Sequence, residues 1–390
     1  MNRIRILAIH NRYIYPGGED QVFQNETHLL ELKGHLVTRY VEDNKKIPNL
    51  SPLQVALGSF WSVNTYRNVR RLLKTGSYDL LHIHNFFPLV SPSVYYAARF
   101  AGVPVIQTLH NFRLMCCNAL FFRNGSICEA CLTKKIGWPG IRFGCYRKSY
   151  LQSAVASLSF AMHRFLGTWN NMIDRYIVLT DFSKSKFISA GLPFKKIIVK
   201  PNFLSNDPGE NDKPGRYALY IGRLSAEKGI DTLLNAWHDL HRIPLKIAGD
   251  GPLKSKILKA VDLNPNIEYL GSLPHSTAIQ LIRDARFIVV PSEWYEHFPM
   301  VVVESFACGR PVIASQIGSL AKIVNHGISG YLFSPGNNKD LALNALKLWD
   351  SKYLCRKFGA KARSLFKKKY SMEPNYQQLK SVYSSLIDTT

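Results

Sequence analysis

The sequence has 390 residues, of which 46% are hydrophobic and 20% are charged. This composition excludes a disordered or fibrous protein and predicts buried cores. The length predicts two or three domains, of which we expect two, because domains usually span about 100–200 residues. Lys and Arg number 50 against 27 Asp and Glu, which gives a formal net charge of +23. Such an excess predicts an anionic partner: nucleic acid, an acidic membrane surface or a phosphorylated substrate.

The first residues, MNRIRILAIHNRYIYPGG, carry an apolar run of only about five residues and no small-residue cleavage site, which predicts a strand and not a signal peptide. Each longer apolar stretch is interrupted by Arg, Asn or His, so none approaches the roughly 20 residues that a membrane-spanning helix needs. The seven cysteines are odd in number, which favours a reducing compartment over a disulfide framework. We therefore expect a cytoplasmic protein, either soluble or peripheral at the inner face of the plasma membrane.

The apolar runs form two series of predicted strands, separated by amphipathic segments of helical length. The first series is IRILAIH, YDLLHIHN, PVIQTLHN and RYIVLTD, and the second is RYALYIGR, PLKIAGDG, IEYLGS, ARFIVVPS and PVIAS. Continuous apolar strands that alternate with helices are typical of parallel sheets covered on both faces. The sequence therefore predicts an α/β fold with two Rossmann-like, doubly wound parallel sheets.

A segment rich in Pro, Gly, Asn and Asp, PNFLSNDPGENDKPGR at residues 201–216, separates the two series. Such a composition is typical of an exposed linker between domains. We therefore predict an N-terminal domain of residues 1–203 and a C-terminal domain of residues 204–371.

Polar residues follow the predicted strands, at the edge where doubly wound sheets bind ligands. In the first series these are Gly17, Gly18, His82, His84, Asn85, His110, Asn111 and Arg113, and in the second they include Gly222, Arg223, Gly251 and Gly318. Because both domains present polar strand ends, we predict a binding site in the cleft between them. The alternative interpretation of the histidines is structural, as polar members of a buried network.

The stretch PSEWYEHFPMVVVESFACGRPVIAS, residues 291–315, sets Glu296 and Glu304 eight positions apart. Pro299 predicts the first turn of a helix that Gly309 ends. The open N–H groups of about residues 299–302 would attract a phosphate, and the carboxylates on either side would accept hydrogen bonds from sugar hydroxyls. This order of groups predicts a nucleotide-sugar site. The alternative is a chance pair of carboxylates on an exposed helix.

The segment GRLSAEKG, residues 222–229, follows a predicted strand and carries the cations Arg223 and Lys228. Two cations at a strand end can neutralise a diphosphate and the charge that develops as it departs. The alternative is that Glu227 and Lys228 are surface charges at a helix start.

These motifs occur in order as GRLSAEKG, GDGPL and PSEWYEHFPMVVVESFACGRPVIAS, followed by the Gly318-Ser319 turn. The ordered set resembles the retaining GT-B glycosyltransferases of family 4. The stretch YDLLHIHNFFPLVSPSVYYAARFAGVPVIQTLHNFRLMC is similar to the acceptor half of bacterial members that build polysaccharides and lipid-linked glycans. The similarity covers most of residues 3–340. It implies two domains that face each other across a cleft, with a C-terminal helix, residues 372–390, completing the first.

The resemblance implies transfer of a hexosyl-type sugar from a UDP- or GDP-sugar to a saccharide or polyprenyl-diphosphate-linked acceptor, with retention of anomeric configuration. It implies front-face attack, in which the leaving diphosphate accepts the proton of the acceptor. No cofactor is expected for catalysis, because Arg223 and Lys228 would hold the diphosphate and the chain has no Asp-x-Asp triplet.

The family's functional positions can be matched residue by residue. Glu304 corresponds to the residue at the nucleotide ribose and Glu296 to the residue at the donor sugar ring. Lys322 is a departure, since the family commonly has Glu there. The residues expected to be catalytic are His110, Arg223, Lys228 and Glu296. Those expected to bind the donor are Gly17, Gly18, Gly222, Arg223, Lys228, Gly251, Phe298, Pro299, Met300, Val301 and Glu304, and those expected to bind the acceptor are His84, Asn85, His110, Asn111 and Arg113.

Five cysteines are concentrated in an insertion at about residues 111–150. Cys128 and Cys131 form a C-x2-C pair, with Cys116 or Cys117 upstream and Cys145 downstream. Four thiolates could bind a structural zinc ion tetrahedrally, and we expect the set Cys116, Cys128, Cys131 and Cys145. The alternative is a group of reduced thiols without a metal.

Residues 111–173 contain eight Lys or Arg and one acidic residue, Glu129. They also contain Trp138, Trp169 and the run SYLQSAVASLSFAMHRFLGTW. Basic and aromatic residues beside an amphipathic helix predict contact with an anionic membrane surface. The alternative is a core helix with a solvated charged edge.

Two other function classes compete with the glycosyltransferase interpretation. The same two-sheet fold could serve a nucleotide-sugar epimerase or a phosphorylase. The net charge alone motivates nucleic-acid binding, but no zinc-finger histidines, RNA-binding aromatic motif or helix-turn-helix spacing accompanies it. We therefore expect no specific nucleic-acid partner.

Overall fold

The computed structural model of the protein describes residues 3–14, 17–211, 213 and 215–387. It divides into two compact units. The first unit comprises the chain up to Phe121, Cys128–Asn202 and the segment from Met372 onward, and the second comprises Phe203–Ser371 together with Phe122–Ile127. The unit boundaries therefore lie next to the ends of the predicted domains, at residues 203 and 371.

Strands and helices alternate along most of the described chain. The strands are β1 (Arg5–Arg12), β2 (Leu36–Asp43), β3 (Leu80–Asn85), β4 (Val105–Leu109), β5 (Phe122–Arg123), β6 (Ser126–Ile127), β7 (Arg175–Val178), β8 (Ile197–Val199), β9 (Ala218–Ile221), β10 (Leu245–Ala248), β11 (Ile267–Gly271), β12 (Phe287–Val290), β13 (Val312–Ser315) and β14 (Gly330–Phe333). The helices are α1 (Gly18–Leu32), α2 (Pro52–Phe60), α3 (Val63–Gly76), α4 (Ser93–Phe100), α5 (Trp138–Arg142), α6 (Tyr150–Phe165), α7 (Thr168–Asn171), α8 (Asp181–Ser189), α9 (Ile230–His238), α10 (Lys254–Leu263), α11 (His275–Asp284), α12 (Met300–Ala307), α13 (Leu320–Ile323), α14 (Asn338–Asp350), α15 (Lys352–Leu365) and α16 (Met372–Ile387).

In the first unit, six parallel strands form a sheet in the order β2-β1-β3-β4-β7-β8. β3 and β4 are buried at every position, as parallel strands covered by helices on both faces should be. The sheet contains all four strands that the first apolar series predicts. The apolar runs do not predict the edge strands, because β2 is partly exposed along its length and β8 has only three residues.

In the second unit, six parallel strands form a sheet in the order β11-β10-β9-β12-β13-β14. Its core includes Trp237, Phe287 and Phe333, each at most 1% exposed. The sheet contains the five strands of the second apolar series and adds β14 at one edge. The predicted α/β fold with two doubly wound parallel sheets is therefore confirmed.

The order of the second sheet reverses at β9, which pairs with β10 on one side and β12 on the other. Doubly wound sheets bind ligands beyond the carboxyl ends of strands at such a switch point. The loop of residues 222–229 follows β9, and the loop of residues 291–299 follows β12. The two motifs singled out in the sequence therefore leave the sheet side by side.

Helix α16 returns to the first unit. Asn375 donates from Nδ2 to the main-chain oxygen of Pro201 at 2.6 Å. Tyr383 lies with its hydroxyl 2.7 Å from Nδ1 of His82 and is 1% exposed. The C-terminal helix therefore supplies a buried phenol to a histidine of β3. Residues 388–390 of the predicted helix lie outside the described residues.

Candidate active site

The loop after β9 presents the two predicted cations at the switch point of the second sheet. The hydroxyl of Tyr220 donates to the main-chain oxygen of Arg223 at 2.8 Å, which fixes the backbone there. The Arg223 side chain is exposed, and no ion pair for it occurs among the described residues. Its guanidinium is therefore available to an anion that approaches the end of β9.

Lys228 and Glu296 form an ion pair, with Nζ 2.6 Å from Oε1. The hydroxyl of Ser292 donates to the same oxygen at 2.7 Å. Burial disfavours the charged form of Glu296, but the charge of Lys228 and the hydrogen bonds from Lys228 and Ser292 outweigh it and hold the pKa of this carboxyl below its usual range. The Lys228 ammonium also lies 5.2 Å from the ring centroid of Trp294. The structure therefore brings two of the four predicted catalytic residues together and keeps the Glu296 carboxyl ionised.

The two loops are tied together by main-chain and side-chain contacts. The N–H of Glu293 donates to the main-chain oxygen of Glu227 at 2.9 Å, and the hydroxyl of Thr232 donates to Oε1 of Glu293 at 2.6 Å. Ser225 donates to Oε1 of Glu227 at 2.6 Å. Glu227 is thus a part of the loop scaffold as well as a surface charge.

Gly251 of the GDGPL motif lies against the same loop. A Cβ atom at this position would lie 2.4 Å from the main-chain oxygen of Leu224. Its backbone φ of +159° also suits glycine. Gly251 therefore permits close packing behind the Arg223 loop, and its predicted contact with the donor stays a prediction.

The amino end of helix α12 is open, as the sequence predicts. Pro299 is the N-cap residue and no side chain caps the helix. Phe298 is 9% exposed and packs against Tyr370 with the ring centroids 5.9 Å apart. A ligand at this helix end would therefore meet the backbone of the segment and not the Phe298 ring. Gly309 follows the helix with φ +68°. The N–H of Val302 donates to the main-chain oxygen of Pro299 at 3.1 Å. The two preceding N–H groups of the first turn, together with the helix dipole, make this end suited to a phosphate.

Glu304 lies on α12 after this open end, and its Oε1 is 2.9 Å from Nε2 of His275. The hydrogen bond to Glu304 raises the pKa of His275. The sequence interpretation does not include His275, because it lies 29 positions away at the start of α11. Oε2 of Glu304 has no hydrogen bond among the described residues, so one carboxylate oxygen remains for a ligand hydroxyl.

In the first unit, Asp20 shapes the predicted glycine loop. It accepts from the N–H of Gly17 at 2.7 Å and lies 2.8 Å from Nε2 of the buried His10. A Cβ atom at Gly18 would meet nothing within 4 Å. As far as the described residues show, the space beside this glycine at the start of α1 is therefore open.

A second carboxyl group, Glu19, lies beside two of the predicted acceptor residues. Asn111 donates from Nδ2 to Oε1 of Glu19 at 2.8 Å, and the hydroxyl of Tyr13 donates to Oε2 at 3.0 Å. Burial raises the pKa of Glu19. The Arg113 guanidinium lies 5.1 Å from the Phe87 ring centroid and donates to the main-chain oxygen of Cys117. The sequence interpretation assigns no role to Glu19, although its position directly after the glycine pair is a usable signal.

The predicted acceptor histidines are in contact. Nδ1 of His84 lies 3.0 Å from Nε2 of His110, and both side chains are nearly buried. Asn85 is used differently: it donates to the main-chain oxygen of Asn11 at 2.7 Å and accepts from the N–H of Phe87 at 3.2 Å. The structure therefore clusters His84 with His110, while the Asn85 amide is occupied by main chain.

The cysteines of the insertion form no disulfide, and they are close enough to influence one another electrostatically. Burial, followed by the neighbouring cysteines Cys116 and Cys145, raises the pKa of Cys117 to about 12. Within the described ranges, the group of three metal-ligand side chains whose ligand atoms lie within 4.8 Å of one another is Glu26, His82 and His84, and not a set of thiols. The zinc set Cys116, Cys128, Cys131 and Cys145 stays a prediction.

Two protein families match the chain and together account for most of it. The family described as glycosyl transferases group 1 matches residues 204–365, and the family described as glycosyl transferase 4-like domain matches residues 43–202. The first contains the Arg223, Lys228, Glu296 and Glu304 positions, and the second contains His84, His110 and the cysteine insertion.

Known proteins with similar sequences include glycosyltransferases. An uncharacterised glycosyltransferase of Methanocaldococcus jannaschii is 28% identical over 99% of this chain and 99% of its own. A lipopolysaccharide 1,2-N-acetylglucosaminetransferase of Salmonella typhimurium is 27% identical over 55% of this chain and 63% of its own. The crystal structure of Anabaena HepE in complex with UDP and glucose has the same fold, with a TM-score of 0.67 and 18% identity over 98% of this chain and 100% of that one. On the two family matches, the chain belongs to the group 1 glycosyltransferases with a glycosyl transferase 4-like N-terminal domain and the GT-B fold.

Proposed function

We propose that this glycosyltransferase uses a nucleoside diphosphate sugar and transfers its hexosyl group, with retention of configuration, to a saccharide or lipid-linked saccharide. The observation that carries the proposal is the line of groups at the switch point of the second sheet. The Lys228–Glu296 pair, the open end of α12 and the Glu304 carboxylate follow one another there. Their order matches the sugar, diphosphate and ribose of a nucleotide-sugar.

The charges of this site suit a diphosphate. A diphosphate diester carries two negative charges, and Arg223 and Lys228 supply two positive ones beside an uncapped helix end. Lys228 has three N–H donors, so it can keep Glu296 and still donate to a phosphate oxygen. Because these cations can stabilise the departing diphosphate, the proposed reaction proceeds without a divalent metal ion.

The structural neighbour from Anabaena was crystallised with UDP and glucose, which supports a uridine nucleotide as the donor to test first. The Salmonella relative acts, by its name, on lipopolysaccharide, which supports a saccharide acceptor. In the first unit, Glu19 is the proposed partner of an acceptor hydroxyl, because its carboxyl already lies among the donors of Asn111 and Tyr13. Retention would follow from front-face attack, with the departing diphosphate taking the proton of that hydroxyl.

Thermal unfolding with a panel of UDP- and GDP-sugars tests the donor. A ligand that binds the folded state at about 100 times its Kd stabilises it by about 2.7 kcal/mol. We expect one nucleotide class to raise the unfolding temperature and the free sugar not to do so. A shift that is equal for all anions, inorganic phosphate included, would point to the net charge and contradict a built donor site.

Product analysis tests the reaction class. Incubation of the stabilising donor with a saccharide acceptor is expected to release the nucleoside diphosphate and form a glycoside of unchanged anomeric configuration, read from the proton coupling at the anomeric carbon. An epimerised nucleotide-sugar, or a sugar phosphate formed only when phosphate is added, would instead support an epimerase or a phosphorylase.

Membrane contact is the second part of the proposal, and helices α2, α5 and α6 carry it. α2 and α5 both pack against α6. Their exposed apolar side chains are Leu53, Leu57, Trp138, Leu151, Leu158 and Phe165, each at least 44% exposed; we call this set the α6 apolar face. No helix among the described residues is long and apolar enough to span a bilayer. Since residues 111–173 carry a net charge of +7, we propose that the face docks on an anionic lipid surface.

Co-sedimentation with vesicles tests this surface. Leu151, Leu158 and Phe165 are seven positions apart on one stripe of α6, so glutamate at each adds charge where the lipid would lie. We expect each substitution to weaken binding to phosphatidylglycerol vesicles by about tenfold or more, which corresponds to about 1.4 kcal/mol. Leu263→Glu is the matched control, because Leu263 is 86% exposed in the second unit. Equal losses from the control and the α6 variants would contradict the proposal.

A further inference from the structure

A chain of buried ionisable groups links helix α1 to the predicted acceptor residue His110. Nζ of Lys200 lies 2.7 Å from Oε2 of Glu26. Oε1 of Glu26 lies 3.2 Å from Nε2 of His84, and Nδ1 of His84 lies 3.0 Å from Nε2 of His110. None of the four residues is more than 5% exposed. His110 is an expected catalytic residue and His84 an expected acceptor-binding residue, whereas Glu26 and Lys200 have no role in the function proposed above.

Burial and the contacts among these residues determine the ionisation states of Glu26, His84 and His110. Burial would raise the pKa of Glu26, but the charge of Lys200 and the contacts with His84 and His82 outweigh it and hold that pKa well below the usual range. Burial lowers the pKa of His84, and it lowers that of His110 well below the usual range. At neutral pH the Glu26 carboxyl is therefore ionised and the His84 and His110 imidazoles are neutral.

These charge states determine where each imidazole hydrogen lies. The contact between Oε1 of Glu26 and Nε2 of His84, 3.2 Å apart, does not have hydrogen-bond geometry. Two lone pairs that face each other at this distance would repel, so the ionised carboxylate favours the form of His84 with the hydrogen on Nε2. A neutral imidazole has one N–H, which leaves a lone pair on Nδ1 of His84. The hydrogen in the contact between the two histidines must then come from Nε2 of His110, and Nδ1 of His110 is left without one. That atom has no hydrogen-bond partner among the described residues.

We propose that Glu26 and His84 are positioning residues that hold His110 in the Nε2–H form, so that its Nδ1 accepts a hydrogen bond from a sugar hydroxyl. The identity of the hydroxyl rests on the proposed function, whereas the tautomer rests only on the contacts within the first unit. A hydroxyl that donates to Nδ1 has a fixed hydrogen direction and keeps its lone pairs for other contacts. A tautomer locked before the substrate arrives needs no reorganisation during transfer.

The same carboxylate could be interpreted as a metal ligand, because ligand atoms of Glu26, His82 and His84 lie within 4.8 Å of one another. Two observations favour the positioning role over metal binding; we call the series Lys200, Glu26, His84 and His110 the relay. Lys200 already supplies a positive charge to Glu26 at 2.7 Å, so a divalent ion would add two more charges to a buried group. His82 also has partners at both nitrogens, the hydroxyls of Tyr383 at 2.7 Å and Thr108 at 2.8 Å.

The tautomer of His110 can be measured without any substrate. In protein labelled with ¹⁵N-histidine, long-range ¹H–¹⁵N correlation spectra distinguish a protonated Nε2 from a protonated Nδ1. We expect His84 and His110 of the unsubstituted chain both to show protonated Nε2 and bare Nδ1. A protonated Nδ1 on His110 would overturn the proposal, and so would movement of the His82 and His84 nitrogen signals on addition of Zn²⁺.

Without the charges of the relay, His110 should no longer be held in its Nε2–H form. The double variant Glu26→Gln/Lys200→Met removes both charges of the buried pair and so leaves neither unpaired. We expect its His110 nitrogen signals to converge, as they do in an imidazole that exchanges between tautomers, and its kcat to fall about tenfold with little change in KM. Asp20→Asn is the spectroscopic control, since Asp20 pairs with His10 and with none of Lys200, Glu26 and His84, so His110 should keep its protonated Nε2 in this variant.

The outcomes distinguish failure of the relay proposal from failure of the proposed glycosyltransferase function. If the unsubstituted chain shows the expected tautomer but transfers no sugar, the relay stands and the proposed function fails. If the double variant keeps the original His110 signals and turnover, Glu26 is a structural residue only and the relay fails. If the double variant does not fold, the spectrum of the unsubstituted chain and the kinetics of His84→Gln still decide.

Discussion

Replacement of Lys228 by alanine is expected to lower kcat by about 10²–10³-fold, the usual cost of removing one charge-stabilising donor from an active site. Lys228 is expected to act twice. Its charge faces the diphosphate as negative charge develops on the leaving group, and its contact with Glu296 at 2.6 Å keeps that carboxyl ionised. Without it, the burial of Glu296 dominates and its pKa rises. The measurement is single-turnover transfer at saturating donor.

Glu296→Gln should cost a similar factor for a different reason. Glutamine keeps the size of the side chain and can still accept from Ser292, but it gives up the charge that attracts Lys228. The proposed hydrogen bond to the donor sugar then loses its charge assistance, which roughly halves its strength. Unfolding curves that match the unsubstituted chain would assign the loss to chemistry and not to stability.

Lys246→Ala is the matched control for both variants. Lys246 pairs with Glu268 at 3.0 Å and is 25% exposed, much like the 24% of Lys228, but it lies in β10 away from the switch point. It should leave turnover unchanged, because an exposed ion pair contributes only about 0.2–1 kcal/mol to stability. Near-normal transfer by Lys228→Ala would count against the whole site assignment.

The fold could be predicted from the sequence because parallel strands that are buried on both faces consist of continuous apolar runs. The runs that became β3, β4, β12 and β13 are buried at every position. The edge strand β2 has only exposed and half-buried residues, so no continuous apolar run marks it. Helix α12 could also be predicted, since Pro299 and Gly309 mark its two ends within one short stretch of sequence.

The site could be predicted only in part, because its contacts join segments that are far apart in the sequence. Local reasoning predicts that Lys228 contacts the diphosphate and Glu296 the sugar, but it cannot show that residues 68 positions apart form one ion pair. Glu26 is a clearer case. It lies on the buried face of α1 with Val22, Phe23 and Leu29, a face where a lone carboxylate is costly and therefore implies a buried partner. The partner, Lys200, enters from the end of β8, and no local pattern connects the two.

Gly229→Ala is expected to remove donor binding and to destabilise the second unit by about 3 kcal/mol or more. Gly229 has φ +71°, and a Cβ atom there would lie 1.8 Å from the main-chain oxygen of Pro291. Real contacts of this kind lie above 3 Å, so the two loops must move apart. Lys228 and the start of the Glu296 loop are the neighbouring residues that such a movement displaces. Thermal unfolding and titration with the stabilising donor measure the two effects separately.

Gly271→Ala separates the clash from the backbone strain. Gly271 has nearly the same φ, +70°, but a Cβ atom there would meet nothing within 4 Å. It should therefore cost only the strain of a left-handed alanine, about 1–2 kcal/mol, and leave donor affinity intact because β11 ends away from the Lys228 loop. If both alanines reduce stability equally and both bind donor, the approach of Gly229 to Pro291 does not hold the site together. If only Gly229→Ala loses the donor, the distance between the two loops is what sets the alignment of Lys228 with Glu296.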